Sequence, residues 1–307
     1  MTALVDRALV GVLPHVPRAI VGRVAGRYLA GERLEQALGV IEQINRRGLP
    51  ASVAILGESV TGEAAARAMA AEYAELLAGL RQRELRCNVS LKPSAFGLEV
   101  SPQLAHELID GFCSDAGRDD TFVRVEMEHP ASIGDILNLY SSLRLAHAQV
   151  GCVLQAMMRR TESDVAEHLL GDVRMVKGIY VAPAEIALTD PDAVRASYLA
   201  RSRELFEQGA RVALATHDDR LIAGSLALVE QLAITKDRYE FQVLLGVREE
   251  LQPRLQHAGH PLRVYVPYGA RWYDYSVRRL RENPKIASYV ARATLARLLG
   301  RSRRSAR

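Results

Sequence analysis

Two adjacent arginines stand beside tyrosines in the segment WYDYSVRR (272–279). If a helix begins at Asp274, Tyr275 lies three and four residues before Arg278 and Arg279, so the three side chains share one face. Two guanidinium groups and a phenol can hold a small planar anion, most naturally a carboxylate, through paired hydrogen bonds. The segment therefore predicts a carboxylate-binding site, and a solvated helix face in an arginine-rich chain is the alternative.

Polar residues also stand at the carboxyl ends of short apolar runs along the chain. They are Glu58, Lys92, Glu126, Glu128, Gln155, Arg174, Lys177, Thr216, His217, Asp218, Gln242 and Tyr265. A solvated surface would not confine its polar residues to the same end of nearly every run. Because chemistry in a parallel barrel collects where the strands end, these residues predict one site that is assembled from many strands.

Eight runs rich in valine and isoleucine alternate with longer amphipathic segments. The runs are ASVAIL (51–56), LRCNVSL (85–91), TFVRVEM (121–127), VGCVLQA (150–156), DVRMVKG (172–178), ARVALAT (210–216), RYEFQVL (238–244) and PLRVYV (261–266). This repeat predicts parallel strands joined by crossover helices, and eight units predict a (β/α)8 TIM-type barrel, an α/β fold. A doubly wound sheet is the alternative, but no G-x-G-x-x-G follows any run, which disfavours its dinucleotide-binding form.

The segments on either side of the predicted barrel differ from it in pattern and charge. We predict an N-terminal helical segment at 1–45, a single catalytic domain at 46–290 and a basic, disordered tail at 291–307. The tail holds six arginines and no acids, which exceeds the net charge of +4 and leaves −2 for residues 1–290. We therefore expect no nucleic-acid partner, since the body of the protein offers no net positive charge for a phosphate backbone.

Cysteine usage and hydropathy indicate the compartment. Three cysteines without CxxC spacing favour a reducing environment over a disulfide framework or a zinc site. No run reaches 18 apolar residues, so the sequence predicts no membrane-spanning helix. We expect a cytoplasmic protein. The N-terminal helices leave open a peripheral contact with the inner face of the membrane, and the sequence does not indicate an oligomeric state.

Eight segments of the chain resemble, in order, the proline dehydrogenase family. They are ILGES (55–59), NVSLKPSAFGL (88–98), VRVEME (123–128), VLQAMMRRTESD (153–164), VRMVKGIY (173–180), ALATHDD (213–219), YEFQVLLGV (239–247) and RVYVPYGARWYDYSVRRLREN (263–283). The resemblance covers roughly residues 46–290. It implies a flavin-binding barrel that oxidises L-proline to 1-pyrroline-5-carboxylate, with hydride transfer to N5 of FAD and a quinone or another acceptor for the electrons.

The resemblance also implies roles for individual residues. The substrate carboxylate would be bound by Arg278 and Arg279, with Lys92 nearby. The substrate ring would contact Ile179, Tyr180, Leu244, Tyr265 and Tyr275. The FAD would contact Gln155, Arg174, Lys177, Gly178, Thr216, His217, Gln242 and Glu282, with Arg174 near N5. Arg174, Lys92 and Glu126 would form the catalytic group, and the resemblance implies no metal ion.

Two positions depart from the family pattern. Glu126 stands where aspartate is usual, and Ile179 stands where alanine is usual in the KGAY motif. The longer Glu126 shifts its contacts by about one ångström, which matters for positioning. The extra carbons of Ile179 cost about 1–3 kcal/mol in a snug pocket. Both changes leave open a modified or different cyclic imino acid as the substrate, and we expect Ile179→Ala to raise activity on L-proline.

Two other enzyme classes would use some of the same residues. A Schiff-base aldolase would use Lys92 or Lys177 as an amine nucleophile, but it explains neither the tyrosines nor the arginine pair. A metal hydrolase would use Glu126 and Glu128 together with histidines. Alternation along a strand places His129 on the face opposite to both glutamates, which disfavours a shared metal.

Overall fold

The computed structural model describes residues 28–167, 171–273 and 276. Within these ranges, eight parallel strands pair in chain order and close into a barrel through pairing of the last strand with the first. The strands are β1 (Ala51–Ile55), β2 (Cys87–Leu91), β3 (Val123–Val125), β4 (Val150–Gln155), β5 (Asp172–Val176), β6 (Arg211–Ala215), β7 (Tyr239–Leu244) and β8 (Leu262–Tyr268). The predicted α/β barrel is confirmed, and each predicted apolar run overlaps one strand.

Helices follow the strands and cover the outside of the barrel. They are α1 (Leu34–Arg46), α2 (Glu63–Gln82), α3 (Pro102–Ala116), α4 (Ile133–Ala146), α5 (Thr161–Glu167), α6 (Pro191–Glu207), α7 (Asp219–Gln231) and α8 (Leu251–His257). Local sequence sets several of the helix starts. The side chains of Ser101 and Asp190 accept hydrogen bonds from the first turns of α3 and α6, in each case just before a proline that suits a first helical position.

Helix α1 packs on the barrel beside β1 and β8. Its buried face, formed by Ala37, Leu38, Ile41 and Ile44, belongs to the same apolar core as the strands. The predicted boundary between residues 45 and 46 therefore falls within the last turn of a helix that shares the barrel core. Residues 1–27 and the tail 291–307 lie outside the described residues, so the remaining predictions for these segments stay predictions. In the part of the chain that the structure describes, no helix is long and apolar enough to cross a membrane.

Five charged residues lie at the amino ends of the strands, and we call them the lower ion cluster: Arg124, Asp172, Arg211, Glu240 and Arg263. Asp172 pairs with Arg124 at 2.7 Å and with Arg211 at 2.9 Å. Glu240 pairs with Arg211 and with Arg263, both at 2.8 Å. The two carboxylates therefore each bridge two arginines, which offsets the cost of burying charge.

Glycine makes room for this cluster at Gly151 on β4. A Cβ atom there would lie 2.7 Å from the Arg124 Nη1 atom and 2.6 Å from the Asp172 carbonyl oxygen. Arg124 is almost fully buried, and its Nη1 group donates hydrogen bonds to the carbonyl oxygens of Cys152 and Asp172, both at 3.0 Å. A larger residue at position 151 would displace this arginine from its partners.

Candidate active site

A cavity of about 240 Å³ opens at the carboxyl ends of the strands. Its polar lining consists of side chains that lie within the strands or just after them, namely Lys92, Glu126, Gln155, Arg174, Lys177, His217, Gln242 and Tyr265. The remaining lining residues are Ala54, Ile55, Leu56, Met127, Val153, Val176, Gly178, Ile179, Tyr180, Ala215, Val243 and Leu244. The structure thus brings together, around one cavity, most of the residues that the sequence analysis singled out. Their roles in binding and catalysis stay predictions.

Among the predicted site residues that the structure describes, Thr216 does not line this cavity. Thr216 is buried, and its Oγ1 atom accepts a hydrogen bond from the Asp218 backbone N–H at 3.2 Å. Tyr275, Arg278, Arg279 and Glu282 lie outside the described residues. The carboxylate-binding pair of arginines therefore stays a prediction.

Arg174, in the middle of β5, is held in one orientation by partners from several strands. Its Nε donates to the Gln242 Oε1 atom at 2.5 Å, and its Nη1 donates to the Glu126 Oε1 atom at 2.5 Å. Its Nη2 donates to the Ser90 Oγ atom at 3.1 Å, and its Cζ lies 5.1 Å from the centroid of the Tyr265 ring. Because the guanidinium is bonded on every side, it presents a fixed positive charge to the cavity.

Carboxylates accompany two of the cations that line the cavity. Glu126 follows β3 directly, and its pair with Arg174 is largely buried, with side-chain exposures of 14% and 5%. The Lys92 Nζ atom lies 3.0 Å from the Glu58 Oε2 atom. Each pair therefore places a basic and an acidic group side by side at the cavity.

Glu128 is buried beside the cavity and connects the loops that follow β2 and β3. Its carboxylate accepts a hydrogen bond from the Ser94 backbone N–H at 2.8 Å and another from the Ser94 hydroxyl at 2.6 Å. Its carbonyl oxygen accepts from the Gln155 Nε2 group at 2.9 Å. Burial raises the pKa of Glu128, although the two bonds from Ser94 act in the opposite direction. Through its backbone carbonyl, Glu128 holds the Gln155 side chain that lines the cavity.

The sequence places Glu128 near the end of a predicted strand but indicates no role for it. The spacing of Glu126 and Glu128 suggested two side chains on one face of a strand. Strand β3 ends at Val125, and the two carboxylates have different partners, Arg174 for the first and Ser94 for the second. Only the position of Glu128 within three residues of the end of a buried strand signalled its importance.

On the β5 and β6 side of the cavity, Lys177 and Asp218 form an ion pair at 3.3 Å. Arg195 of α6 also binds the Asp218 carboxylate, at 2.9 Å. Although burial alone would raise the pKa of Asp218, the hydrogen bond from Arg195 and the charge of Lys177 lower it overall. Asp218 also caps the amino end of α7, which anchors the loop that carries His217.

His217 and Gly178 show how backbone geometry shapes the same side of the cavity. The His217 Nε2 atom accepts a hydrogen bond from the Leu244 N–H at 3.0 Å, which assigns the ring proton to Nδ1. Gly178 has a φ of +104°, and a Cβ atom there would lie 2.3 Å from the Met157 Sδ atom. Both strain and overlap therefore require glycine at this turn after β5.

The geometry disfavours the two other enzyme classes. Lys92 and Lys177 both lie beside carboxylates, so neither is the desolvated amine that Schiff-base chemistry uses. Across residues 28–167, 171–273 and 276, no group of three or more histidine, cysteine, aspartate or glutamate side chains could hold a metal ion. The Glu126 and Asp218 carboxylates are paired with arginine and lysine, and the Glu128 carboxylate is bonded to Ser94.

A closed (β/α)8 barrel with a cavity at the carboxyl ends of its strands is the architecture of the TIM-barrel enzymes. The chain belongs to the proline dehydrogenase family, because the family model described as "Proline dehydrogenase" matches residues 37–292. It is therefore an oxidoreductase.

Curated relatives agree with this family over nearly the whole chain. Proline dehydrogenase 1 of Bacillus subtilis (strain 168) is 32% identical over 273 residues, which cover 88% of this chain and 90% of the relative. Proline dehydrogenase of Deinococcus radiodurans is 31% identical over 279 residues, covering 89% of this chain and 90% of the relative.

Solved structures agree with the barrel. Proline utilization A (PutA) from Bdellovibrio bacteriovorus, in a crystal structure of the protein inactivated by N-propargylglycine, superposes with a TM-score of 0.77 at 25% identity. The match covers 85% of this chain and 33% of that one, so the chain spans about a third of PutA. A PutA structure from Bradyrhizobium japonicum, 22% identical with a TM-score of 0.70, covers 87% of this chain and 32% of its own, and supports the fold alone.

Proposed function

We propose that this protein oxidises L-proline to 1-pyrroline-5-carboxylate with FAD as its cofactor and passes the electrons to a quinone or another acceptor. One observation carries the proposal beyond family membership. Arg174 is fixed on the cavity floor by Glu126, Gln242 and Ser90, so a permanent positive charge faces the space where a flavin would lie. Such a charge favours a cofactor that becomes more negative when it is reduced.

The residues that line the cavity fit a flavin ring. Arg174 and Lys177 supply positive charge, and the Gln155 side chain, which donates to the Glu128 carbonyl oxygen, keeps its own amide oxygen near Gly178. That oxygen would lie only 3.2 Å from a Cβ atom at position 178, so the glycine keeps it accessible to a planar ring. Bound FAD would accept the hydride that leaves the substrate carbon next to the ring nitrogen, while the nitrogen loses its proton.

The tasks of the protein are then binding, orientation and exclusion of water. Tyr180, Leu244 and Tyr265 line the cavity and would pack against the apolar ring carbons of the substrate. Lys92, together with the predicted pair Arg278 and Arg279, would hold the substrate carboxylate. Arg174 would stabilise the negative charge that develops on the flavin during hydride transfer.

The visible spectrum of the purified protein tests the proposal directly. We expect the two absorption bands of an oxidised flavin, and we expect anaerobic L-proline to bleach them while D-proline leaves them unchanged. A colourless protein that cannot be reconstituted with FAD would contradict the proposal. Faster bleaching by hydroxyproline or pipecolate than by L-proline would instead assign a modified or different cyclic imino acid as the substrate.

An inactivator provides a second test. The Bdellovibrio protein was crystallised after inactivation by N-propargylglycine, which is, like proline, a secondary amine with a carboxylate. We expect the same compound to inactivate this protein progressively, with loss of the flavin absorbance and with protection by L-proline. Rapid, fully reversible inhibition without a spectral change would argue against oxidation of amines at this site.

The connection between β5 and α6 supports an apolar electron acceptor. Ile179, Val181 and Ile186 are exposed on this connection by 41%, 99% and 43% of their surfaces, and Ile179 also lines the cavity. Large exposed apolar side chains that cluster beside a cavity often mark an interaction site. We propose that a membrane quinone approaches here, which would place this protein at the inner face of the membrane.

Vesicles that contain a long-chain quinone test this contact. We expect Val181→Ser to lower the rate of reduction of the vesicle-bound quinone, whereas the rate with a water-soluble dye stays unchanged. As a matched control, Val100→Ser removes an exposed valine from another part of the barrel and should change neither rate. Equal behaviour of both variants would contradict the proposed contact.

A further inference from the structure

The Gln242 side chain links the lower ion cluster to the floor of the cavity. Its Oε1 atom accepts from the Arg174 Nε group at 2.5 Å, and its Nε2 group donates to the Glu240 Oε1 atom at 2.6 Å. An amide has one accepting end and one donating end. Because the cation and the anion demand opposite ends, they fix the orientation of this amide between them.

Glu240 is itself held from the opposite side. Its two carboxylate oxygens accept from Arg211 and Arg263, both at 2.8 Å, and its side chain is only 3% exposed. It does not line the cavity. A buried carboxylate that is bonded to two arginines has little freedom to move, so it is a rigid anchor for the amide above it.

We propose that Glu240 is a positioning residue that fixes the orientation of Arg174 through Gln242. This inference rests on the proposed function for the identity of the group that Arg174 faces, but not for the contact itself. Glu240 and Gln242 stand two residues apart on β7, so their side chains point to the same face of the strand and reach toward successive layers of the barrel. The register of β7 therefore sets the position of an arginine on β5.

The variant Glu240→Gln distinguishes a role of Glu240 in positioning Arg174 from a direct effect of its negative charge on the flavin. In Glu240→Gln, the new amide can donate or accept, so it no longer dictates which end of Gln242 faces Arg174. A turned amide would present N–H groups to the guanidinium and displace it. Loss of a negative charge alone would raise the reduction potential of a nearby flavin, whereas displacement of the Arg174 cation would lower it.

Asp172→Asn is the matched control for Glu240→Gln. Asp172 also belongs to the lower ion cluster, also bridges two arginines and also loses one negative charge in the variant. It makes no contact with Gln242. A second test variant, Gln242→Met, keeps the length of the side chain and every charge but cannot form either hydrogen bond, and it covers the case in which Glu240→Gln does not fold.

Two measurements test the inference. Crystal structures of the wild-type protein and the variants would show the position of Arg174 with or without FAD. Midpoint potentials of the FAD-loaded proteins, measured with a chemical reductant, would show the effect on a bound flavin. In Glu240→Gln and in Gln242→Met we expect Arg174 to move away from its wild-type position beside residue 242 and the midpoint potential of the flavin to fall. In Asp172→Asn we expect Arg174 to stay in place and the potential to be unchanged or higher.

Kinetics should follow the same division. We expect reduction by L-proline to slow on the order of tenfold in Glu240→Gln with an unchanged apparent affinity for L-proline, because displacement of a charged group acts on the chemical step. An Arg174 that stays in place in Glu240→Gln, or a potential that changes equally in Glu240→Gln and Asp172→Asn, would overturn the inference.

The proposed function and this inference fail in different ways. A protein that binds FAD but is not reduced by L-proline would contradict the proposed function, while the potentials would still decide the role of Glu240. A protein that does not bind FAD would also contradict the proposed function. In that case the crystal structures alone would show whether the position of Arg174 depends on Glu240.

Discussion

Charged side chains occur at both ends of the barrel, but their surroundings differ. At the amino ends, the five members of the lower ion cluster bond to one another, and each carboxylate bridges two arginines. At the carboxyl ends, Lys92, Arg174 and Lys177 each pair with a carboxylate and also face an open cavity. The charged groups at the amino ends therefore interact with other groups of the protein, whereas those at the carboxyl ends can also contact a bound molecule.

Two buried glutamates, Glu240 near the amino ends and Glu128 near the carboxyl ends, differ in the direction of their pKa shifts. Although burial alone would raise the pKa of Glu240, Arg263 and Arg211 lower it to about 2. At the other end of the barrel, burial raises the pKa of Glu128, because serine hydrogen bonds compensate less than arginine charges do. The lower carboxyl group is therefore strongly stabilised as an anion, whereas burial disfavours the charged form of the upper one.

Asp172→Asn should have the largest effect, and that effect should be on stability. Replacement of the Asp172 carboxylate leaves Arg124 and Arg211 without the anion that they share. Removal of one partner from a buried ion pair costs about 3–5 kcal/mol. We expect the free energy of unfolding, measured with urea, to fall by that amount. The activity per folded molecule should stay at the wild-type level, and a selective loss of activity would show that Asp172, and not Glu240 alone, acts on the catalytic end.

Arg174→Lys should have the next largest effect, and that effect should be on the reaction. Lysine keeps the charge but cannot bond to Glu126, Gln242 and Ser90 at once. Loss of a fixed donor at a developing charge typically costs about 3 kcal/mol, so we expect flavin reduction by L-proline to slow about a hundredfold in stopped-flow measurements. A rate within threefold of the wild type would remove Arg174 from the catalytic group.

The stability of two glutamine variants should depend on pH with opposite signs. The lowered pKa of Glu240 stabilises the fold above the ordinary value of 4.5, and this stabilisation is lost as the pH falls toward 2. The raised pKa of Glu128 acts in reverse, since the wild-type protein loses stability as the pH rises above 4.5 and the carboxyl group ionises.

Urea unfolding between pH 2.5 and pH 8 would measure both dependences. We expect the stability advantage of the wild type over Glu240→Gln to shrink on acidification. The stability of the wild type relative to Glu128→Gln should instead improve on acidification. Parallel curves for the two variants would show that the ends of the barrel do not differ in this way.

The two ends also differ in how far the sequence predicts them. The strands and the cavity lining follow from local patterns, because a polar residue directly after an apolar run is visible without knowledge of the fold. The lower ion cluster depends on pairs such as Arg124 with Asp172, which are 48 residues apart and meet only through the closed register of the barrel. The charged residues within buried strands, Arg124 and Glu240, were the available signal.

Local patterns also mislead where a strand ends earlier than its apolar run. Alternation along β3 suggested a shared face for Glu126 and Glu128, but the strand ends at Val125 and the next residues follow a loop geometry. Thr216 also directly follows its strand, β6; its hydroxyl accepts a hydrogen bond from the Asp218 backbone and it does not line the cavity, while its contact with FAD stays a prediction. The direction of a side chain beyond the last strand residue depends on loop contacts that the sequence pattern does not contain.

Ile179→Ala should have the smallest effect, because Ile179 lies at the rim of the cavity and not within its packed floor. The sequence suggested an overfilled pocket, which would cost about 1–3 kcal/mol. Ile179 is 41% exposed, however, so part of its side chain already points to solvent and can yield to a substrate. We therefore expect about a twofold rise in kcat/KM for L-proline, a change well below 1 kcal/mol. A tenfold rise would show that this residue closes over the substrate and restricts the pocket as its position in the motif suggests.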